Sequence, residues 1–277
     1  MPRVAIITRT QKRPYLLKRA IVTMSQQFYK DYVLVIVNDG GKPNHVDLAL
    51  KLASKEISPK IWKEFLKKIK IIHHKKPRGM EAASNSGIKN SDSEFIVIHD
   101  DDNTWHPLFL KETVNYLKKP PHPSIKGVIT KTLLIVEKLI SGGKAVNYLD
   151  AYPFKPSVSN WDVDNERQTP RQIIEIKHLL KSNLFPPISF LYARKVWEEI
   201  GGYDETFPVI GDWKFNLCFI LRKDIGIIHS YLAHYHHRTT LTERNELANT
   251  VISQKKEHSL YSTLLKNQIY KILHSNK

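Results

Sequence analysis

Residues 95–107 read FIVIHDDDNTWHP. The first four are apolar and rich in β-branched side chains, the pattern of a short strand buried on both faces. That strand runs straight into Asp100, Asp101 and Asp102. Adjacent carboxylates repel and raise one another's pKa unless a cation neutralises them. The alternate pair Asp100 and Asp102 can turn to one side of a loop and share a hard divalent ion. Mg²⁺ and Mn²⁺ suit such oxygen ligands and leave coordination positions for water and phosphates. The plain alternative is an acidic turn that caps the next helix, so the reading depends on what the other strands bring to the same edge.

Three more short apolar runs precede this one: VAIIT at 4–8, VLVIV at 33–37 and IKIIH at 69–73. Between them lie helical patterns. Pro14 suits the first position of a helix, and Leu16, Leu17, Ala20, Ile21, Met24 and Phe28 follow on one face. A lysine-rich stretch over 46–66 and the segment 81–89 also predict helices. Strands alternating with helices predict a parallel, doubly wound sheet covered on both faces. In such sheets ligands bind beyond the carboxyl ends of the strands. Thr8-Arg9-Thr10, Asn38-Asp39-Gly40 and Asp100-Asp101-Asp102 all fall there, which favours the metal reading of the aspartates.

The second half predicts a smaller, mixed region. Two strands at 128–136 and 144–149 flank Ser141-Gly142-Gly143 as a hairpin. Residues 152–183 are polar and irregular, with a helical piece near 171–180. A strand at 188–192, helices at 195–200 and 213–221, and a late strand at 225–231 complete it. The stretch from 246 to 273 predicts one or two basic amphipathic helices.

Composition narrows the function classes. Lys+Arg of 43 against Asp+Glu of 27 gives a net charge of +16, a field that attracts phosphorylated molecules, nucleic acid or an anionic membrane surface. No apolar run approaches the ~20 residues that span a bilayer. The single cysteine excludes an internal disulfide framework and suits a reducing, cytoplasmic setting. Residues 8–14 (TRTQKRP) hold no glycine, against the glycine-rich phosphate loop of a nucleotidyltransferase-like enzyme, the main alternative. No zinc-ligand spacing or nucleic-acid-binding motif accompanies the positive charge, so no nucleic acid partner is expected.

The segments VAIITRTQKRPYLLKRAIVTMSQQF, VLVIVNDGG, GMEAASNSGI, FIVIHDDDNTWHP, ISFLYARKVWEEIGGYDE and GDWKFNL occur in that order. Together they resemble the successive blocks of glycosyltransferase family 2, the inverting transferases of the GT-A fold, over residues 4 to about 222. The resemblance implies an α/β, Rossmann-like GT-A fold with a mostly parallel central sheet, helices on both faces and a smaller mixed acceptor-side region. It implies a transferase domain over 1–240, with a nucleotide-sugar-binding half (1–110) and an acceptor-binding half (111–240), followed by a basic helical tail (241–277). The donor would be a nucleotide-sugar, UDP-linked by preference with dTDP or GDP as alternatives. The acceptor would be a glycan or a lipid-linked precursor of polysaccharide, with the basic tail touching an anionic membrane at the cytoplasmic face.

Residue by residue, the resemblance places Thr8, Arg9 and Thr10 against the donor base and ribose, and Asp39 where the family's aspartate bonds the base. Arg13 and Arg78 would meet phosphate oxygens, and Asn85 would face the donor. The aspartates match the family's DxD-type element. Asp100 would contact the ribose side, Asp101 would assist, and Asp102 would bind Mn²⁺ or Mg²⁺ directly. A late histidine completes the metal set in many members; His236 is preferred here, with His234 second. The catalytic base is the aspartate of a Glu-Asp pair. Here Asp212 matches it, while Gly211 stands in place of the glutamate, the one feature that favours a transferase-like binding module without activity. Gly202, Asp204 and Trp213 would line the acceptor side, with Tyr152, Trp161 and Trp197 as further aromatic faces.

Overall fold

In a computed structural model, residues 2–140, 145–164, 167, 169–238 and 255–274 are described. The first half alternates as predicted: β1 (Val4–Thr10), α1 (Pro14–Ser25), β2 (Tyr32–Asp39), α2 (Pro43–Ala53), α3 (Pro59–Leu66), β3 (Ile69–His74), α4 (Met80–Lys89) and β4 (Phe95–Ile98). Pro14, Pro43 and Pro59 each open a helix, where the missing N–H costs nothing. The long helix expected over 46–66 is therefore two, because Pro59 cannot donate a mid-helix bond. Phe28 leaves the buried face of the first helical pattern, since α1 stops at Ser25, and it is exposed.

After the aspartates come β5 (Thr104–Trp105), α5 (Phe109–Lys118), β6 (Ile125–Ile140), β7 (Ala145–Pro153), β8 (Val163–Asp164), β9 (Thr169–Pro170), α6 (Ile176–Lys181), β10 (Phe190–Ala193), α7 (Arg194–Ile200), α8 (Gly211–Ile220), β11 (Asp224–Arg238) and α9 (Lys255–His274). The hairpin turn expected at 141–143 and the start of the tail, 246–254, lie outside the described residues. Among the described residues the main sheet has nine strands in the order β3-β2-β1-β4-β10-β6-β11-β5, with β7 pairing on β6. Strands β3, β2, β1, β4, β6 and β11 point the same way; β10, β7 and β5 run against them.

Each face of this sheet buries its own core. One joins Leu17, Ala49, Phe65 and Phe109 from α1, α2, α3 and α5. The other joins Ala83, Val196, Phe215, Leu265 and Ile269 from α4, α7, α8 and α9. Helix α4 lies close on β1 because it carries Gly87, where a Cβ would meet Ile7 Cγ2 at 2.5 Å. The described part of the tail, α9, thus packs on the α8 side, with Tyr261 edge-on to Phe207 at 5.3 Å and Lys266 over Trp213 at 5.4 Å. No described helix is long and apolar enough to cross a membrane.

Candidate active site

β4 lies between β1 and β10, and the chain leaves it through the three aspartates to reach β5 on β11. The aspartates therefore sit where β1, β4 and the far end of β11 meet, and arginines from each side answer them. Arg9 from β1 donates Nε to Asp100 Oδ1 at 3.0 Å, and Nη2 to the same oxygen. Thr10 donates its hydroxyl to Asp101 Oδ2 at 2.7 Å. Arg13 reaches Asp101 at 3.5 Å and Asp102 at 3.4 Å. Arg238, at the end of β11 and fully buried, donates to Asp102 Oδ2 at 2.5 Å. Arg19 bonds the Asp102 carbonyl and meets Glu137 at 2.7 Å.

Four arginines thus face four carboxylates. The balance sets the pKa values. Burial alone would raise the Asp102 carboxyl, but Arg238 and Arg13 outweigh it and hold the group far below the usual range. Asp101, with burial dominant and Asp102 beside it, is pushed up to about 6 despite Arg13.

No described donor reaches Asp102 Oδ1, and both Arg9 bonds leave Asp100 Oδ2 without one. A carboxylate oxygen left over at a strand end is the ligand type a hard divalent ion takes, with water and phosphates filling its other positions. Among the described residues no group of three or more His, Cys, Asp or Glu could hold a metal unaided. The histidines expected to help are turned elsewhere. His236 is buried, its Nδ1 on Glu137 Oε2 at 2.7 Å and its Nε2 on Thr104 at 2.9 Å. His234 Nδ1 also faces Thr104, at 3.3 Å. Burial keeps both rings neutral, their pKa values lowered. Strand alternation puts His237 on the other side, where it lines a cavity.

That cavity, of about 680 Å³, opens beside Arg9 and Asp100 and is bounded by Glu81, Asn183, Asp212, Trp213 and His237, with His258 and Ser262 of α9 at its rim. Asp212 stands in the first turn of α8. The residue that turns the chain into the helix, Ile210, has φ of 53°. This is a strained conformation for a β-branched side chain. Asn183 donates to Asp212 Oδ2 at 2.8 Å and is itself fixed by Asn216 at 3.1 Å. Burial raises the Asp212 pKa, opposed by bonds from the Trp213 amide and Asn183. A carboxylate with raised proton affinity facing a cavity is equipped to accept a proton.

Arg9, Asp100, Asp212 and Trp213 are brought together, with Thr10, Asp101, Arg13 and Asp102 beside them. The remaining predicted residues stand apart. Thr8 is buried with its hydroxyl on Met24 Sδ at 3.7 Å. Asp39 accepts the backbone N–H of Arg78 at 2.9 Å and of Gly79 at 2.9 Å, and meets His74 at 2.7 Å; its carboxylate anchors the loop before α4. The Arg78 side chain reaches outward to Glu205 at 3.4 Å. Asn85 holds the loop after α7, giving Nδ2 to Tyr203 O at 2.8 Å and taking Tyr203 N at 2.9 Å. Gly202 and Asp204 line a separate depression, where Lys214 pairs with Asp204 at 2.5 Å. Trp213 gives its indole N–H to Leu179 O at 2.7 Å, which fixes its ring at the cavity wall. Trp197 is buried core and Tyr152 exposed, while Trp161 lines a neighbouring cavity of about 430 Å³.

The sequence reading missed Arg19, Glu81, Glu137, Asn183, His237 and Arg238. Glu137 had a visible sign, a lone acid in an apolar β-branched run. The others were indistinguishable from surface polar residues.

The model of glycosyl transferase family 2 matches residues 4–173. No curated protein sequence matches the chain. Among solved structures, S. aureus TarS 1–349 in complex with UDP-GlcNAc is 12% identical with a TM-score of 0.57, covering 86% of this chain and 60% of that one. A further crystal structure of S. aureus TarS 1–349 gives 13% and 0.55, over 84% and 60%. The chain therefore spans about 60% of the TarS 1–349 structures and 36% of the longer TarS structure that it matches. The mannosyltransferase PcManGT from Pyrobaculum calidifontis, in complex with GDP-Man and Mn²⁺, is 12% identical with a TM-score of 0.58, covering 100% and 76%. These neighbours share the GT-A fold. With a family model covering well over half of its length, the chain belongs to glycosyltransferase family 2.

Proposed function

We propose that the chain is an inverting glycosyltransferase that moves a sugar from a nucleoside-diphosphate donor to a glycan or lipid-linked hydroxyl acceptor, with Asp212 as general base. The observation that carries this reading is the placement of Asp212, a buried carboxylate of raised pKa, on the cavity that Arg9 and Asp100 also line. Inversion needs a proton acceptor on the side opposite the leaving group. Asp212 takes the acceptor hydroxyl proton as the new C–O bond forms and the sugar–phosphate bond breaks. The bond from Asn183 orients the base. Trp213 gives the acceptor sugar a flat apolar wall. Arg13, one-fifth exposed at its side chain and already beside Asp101 and Asp102, meets the diphosphate oxygens. Asp102 would hold Mn²⁺ or Mg²⁺ through its remaining oxygen; when bound, the ion offsets charge on the departing diphosphate.

The test is incubation with a panel of UDP-, GDP- and dTDP-sugars, including UDP-GlcNAc and GDP-mannose, with free nucleoside diphosphate as the readout. Proton NMR of the released or transferred sugar then reads the anomeric configuration. Release from one donor class with inversion is the expected result. Retention of configuration removes Asp212 from its role, and no release from any donor by folded protein overturns the reading.

A further inference from the structure

Gly211 is the first residue of α8 and precedes Asp212. A Cβ placed on it would fall 2.3 Å from Glu81 Oε1 and 2.5 Å from Glu81 Cγ, closer than real atoms approach. The volume that a side chain at 211 needs is therefore filled by the carboxyl group of Glu81, projected from the first turn of α4. Glu81 is 5% exposed and borders the same cavity as Asp212. The charged groups around it come from three elements: Arg9 on β1, Asp100 beyond β4 and Asp212 on α8, with the Tyr203 phenol from the loop after α7. One guanidinium, already bonded to Asp100, stands against three carboxyls. Mutual repulsion in this buried place favours keeping a proton on Glu81 or Asp212.

We propose that Glu81 is a positioning residue for the Asp212 base: it supplies, from another helix, the second carboxyl beside it, and the pair shares one proton. This rests on the reading of Asp212 given above. In the transfer step Glu81 keeps its proton, and the acceptor O–H proton goes to Asp212. With the shared proton on Glu81, Asp212 is the ionised member of the pair. Burial, with Asp212 adding to it against Arg9, pushes the Glu81 carboxyl up to about 7. Folded Glu81 thus binds its proton more tightly than the unfolded chain, so the stability it contributes is full at acid pH and is lost as pH rises through 7.

Two experiments test this, one of them independent of turnover. Carboxyl ¹³C NMR of the wild type should give a Glu81 midpoint near 7 that falls in Asp212→Asn. An ordinary glutamate midpoint, or one unmoved by Asp212→Asn, overturns the pairing whatever the enzyme does. The second is a substitution cycle. Gly211→Glu alone collides with Glu81 and should lower the Tm by roughly 3–10 °C. Glu81→Ala alone should lower kcat by about tenfold, the effect of one pKa unit at a base, with donor KM unchanged and the pH–rate profile displaced. The double variant Glu81→Ala/Gly211→Glu should recover both Tm and kcat. Strictly additive effects, or a Gly211→Glu variant as stable as wild type, overturn the inference. Absence of turnover in every protein, with the NMR coupling intact, counts against the transferase reading and leaves the carboxyl pair standing.

Discussion

Asp212→Asn is expected to lower transfer by about 10²–10⁴-fold while nucleotide affinity and Tm stay near wild type. The substitution keeps the shape and the bond partner of the side chain: the new amide oxygen can accept from Asn183 Nδ2 as the carboxylate does. What disappears is the ability to hold a proton. The pH dependence follows with its sign. Burial raises the folded pKa of Asp212 above the ordinary carboxylate value of 3.8, and the base works only when ionised. Turnover should therefore fall as pH drops through that raised value, at a pH where an exposed aspartate would still be ionised. Steady-state kinetics from pH 4 to 9 check this. Residual transfer within threefold of wild type would assign the base to another group.

The second large effect concerns stability. Arg238 is fully buried, donates to Asp102 at 2.5 Å and lies 3.7 Å from Glu137. Arg238→Met keeps most of the volume and removes the cation, leaving Asp102 with the longer contact to Arg13 and the Arg19 bond to its carbonyl. Removing one partner of a buried ion pair costs about 3–5 kcal/mol. Arg238→Lys should recover only part of this, because a single ammonium cannot follow the geometry of a fork. The acid side supplies a control. The folded pKa of Asp102 is depressed by Arg238 and Arg13 over the opposing burial. Its stabilisation is present above the unfolded carboxylate pKa of ~3.9 and is lost as pH falls below it. Urea unfolding should show the gap between wild type and Arg238→Met narrowing from pH 7 to pH 3.5. A gap below ~1 kcal/mol at pH 7 would mean that the arginine–carboxylate lattice contributes little to the fold.

Much of the frame was readable from sequence because its determinants are local. Short β-branched runs such as VLVIV favour buried strands, and Pro14 suits the first position of a helix. The aspartates were readable for the same reason: three charges at the end of a buried strand demand counter-charges. Which counter-charges was not readable, because Arg238 lies 136 residues away from its partner and only the parallel pairing of β11 with β6 brings it there. The late strand was expected to stop at 231, yet it runs to Arg238. Its pleat, displaced by register shifts near Tyr231 and Ala233, decides that His237 and not His236 meets the cavity. Asp39 and Asn85 carry the opposite lesson. Each is a polar side chain in the expected block, but Asp39 accepts the backbone N–H groups of Arg78 and Gly79 and Asn85 bonds the Tyr203 backbone, a choice that composition cannot reveal. Gly211 was visible as a departure from the Glu-Asp pair, and only the fold shows Glu81 occupying that space.

We propose a nucleotide-sugar donor site at these strand ends, with Asp102 as its metal carboxylate. Titration calorimetry of UDP, GDP and dTDP, each with Mn²⁺ and again with EDTA, tests it most directly, with Asp102→Asn as the paired protein and its melting curve as the folding check. One diphosphate should bind with Mn²⁺, and both EDTA and Asp102→Asn should weaken its binding at least tenfold, about 1.4 kcal/mol. Binding of equal strength in EDTA and in folded Asp102→Asn would contradict it, leaving Arg13 and its neighbours as the whole of the phosphate site.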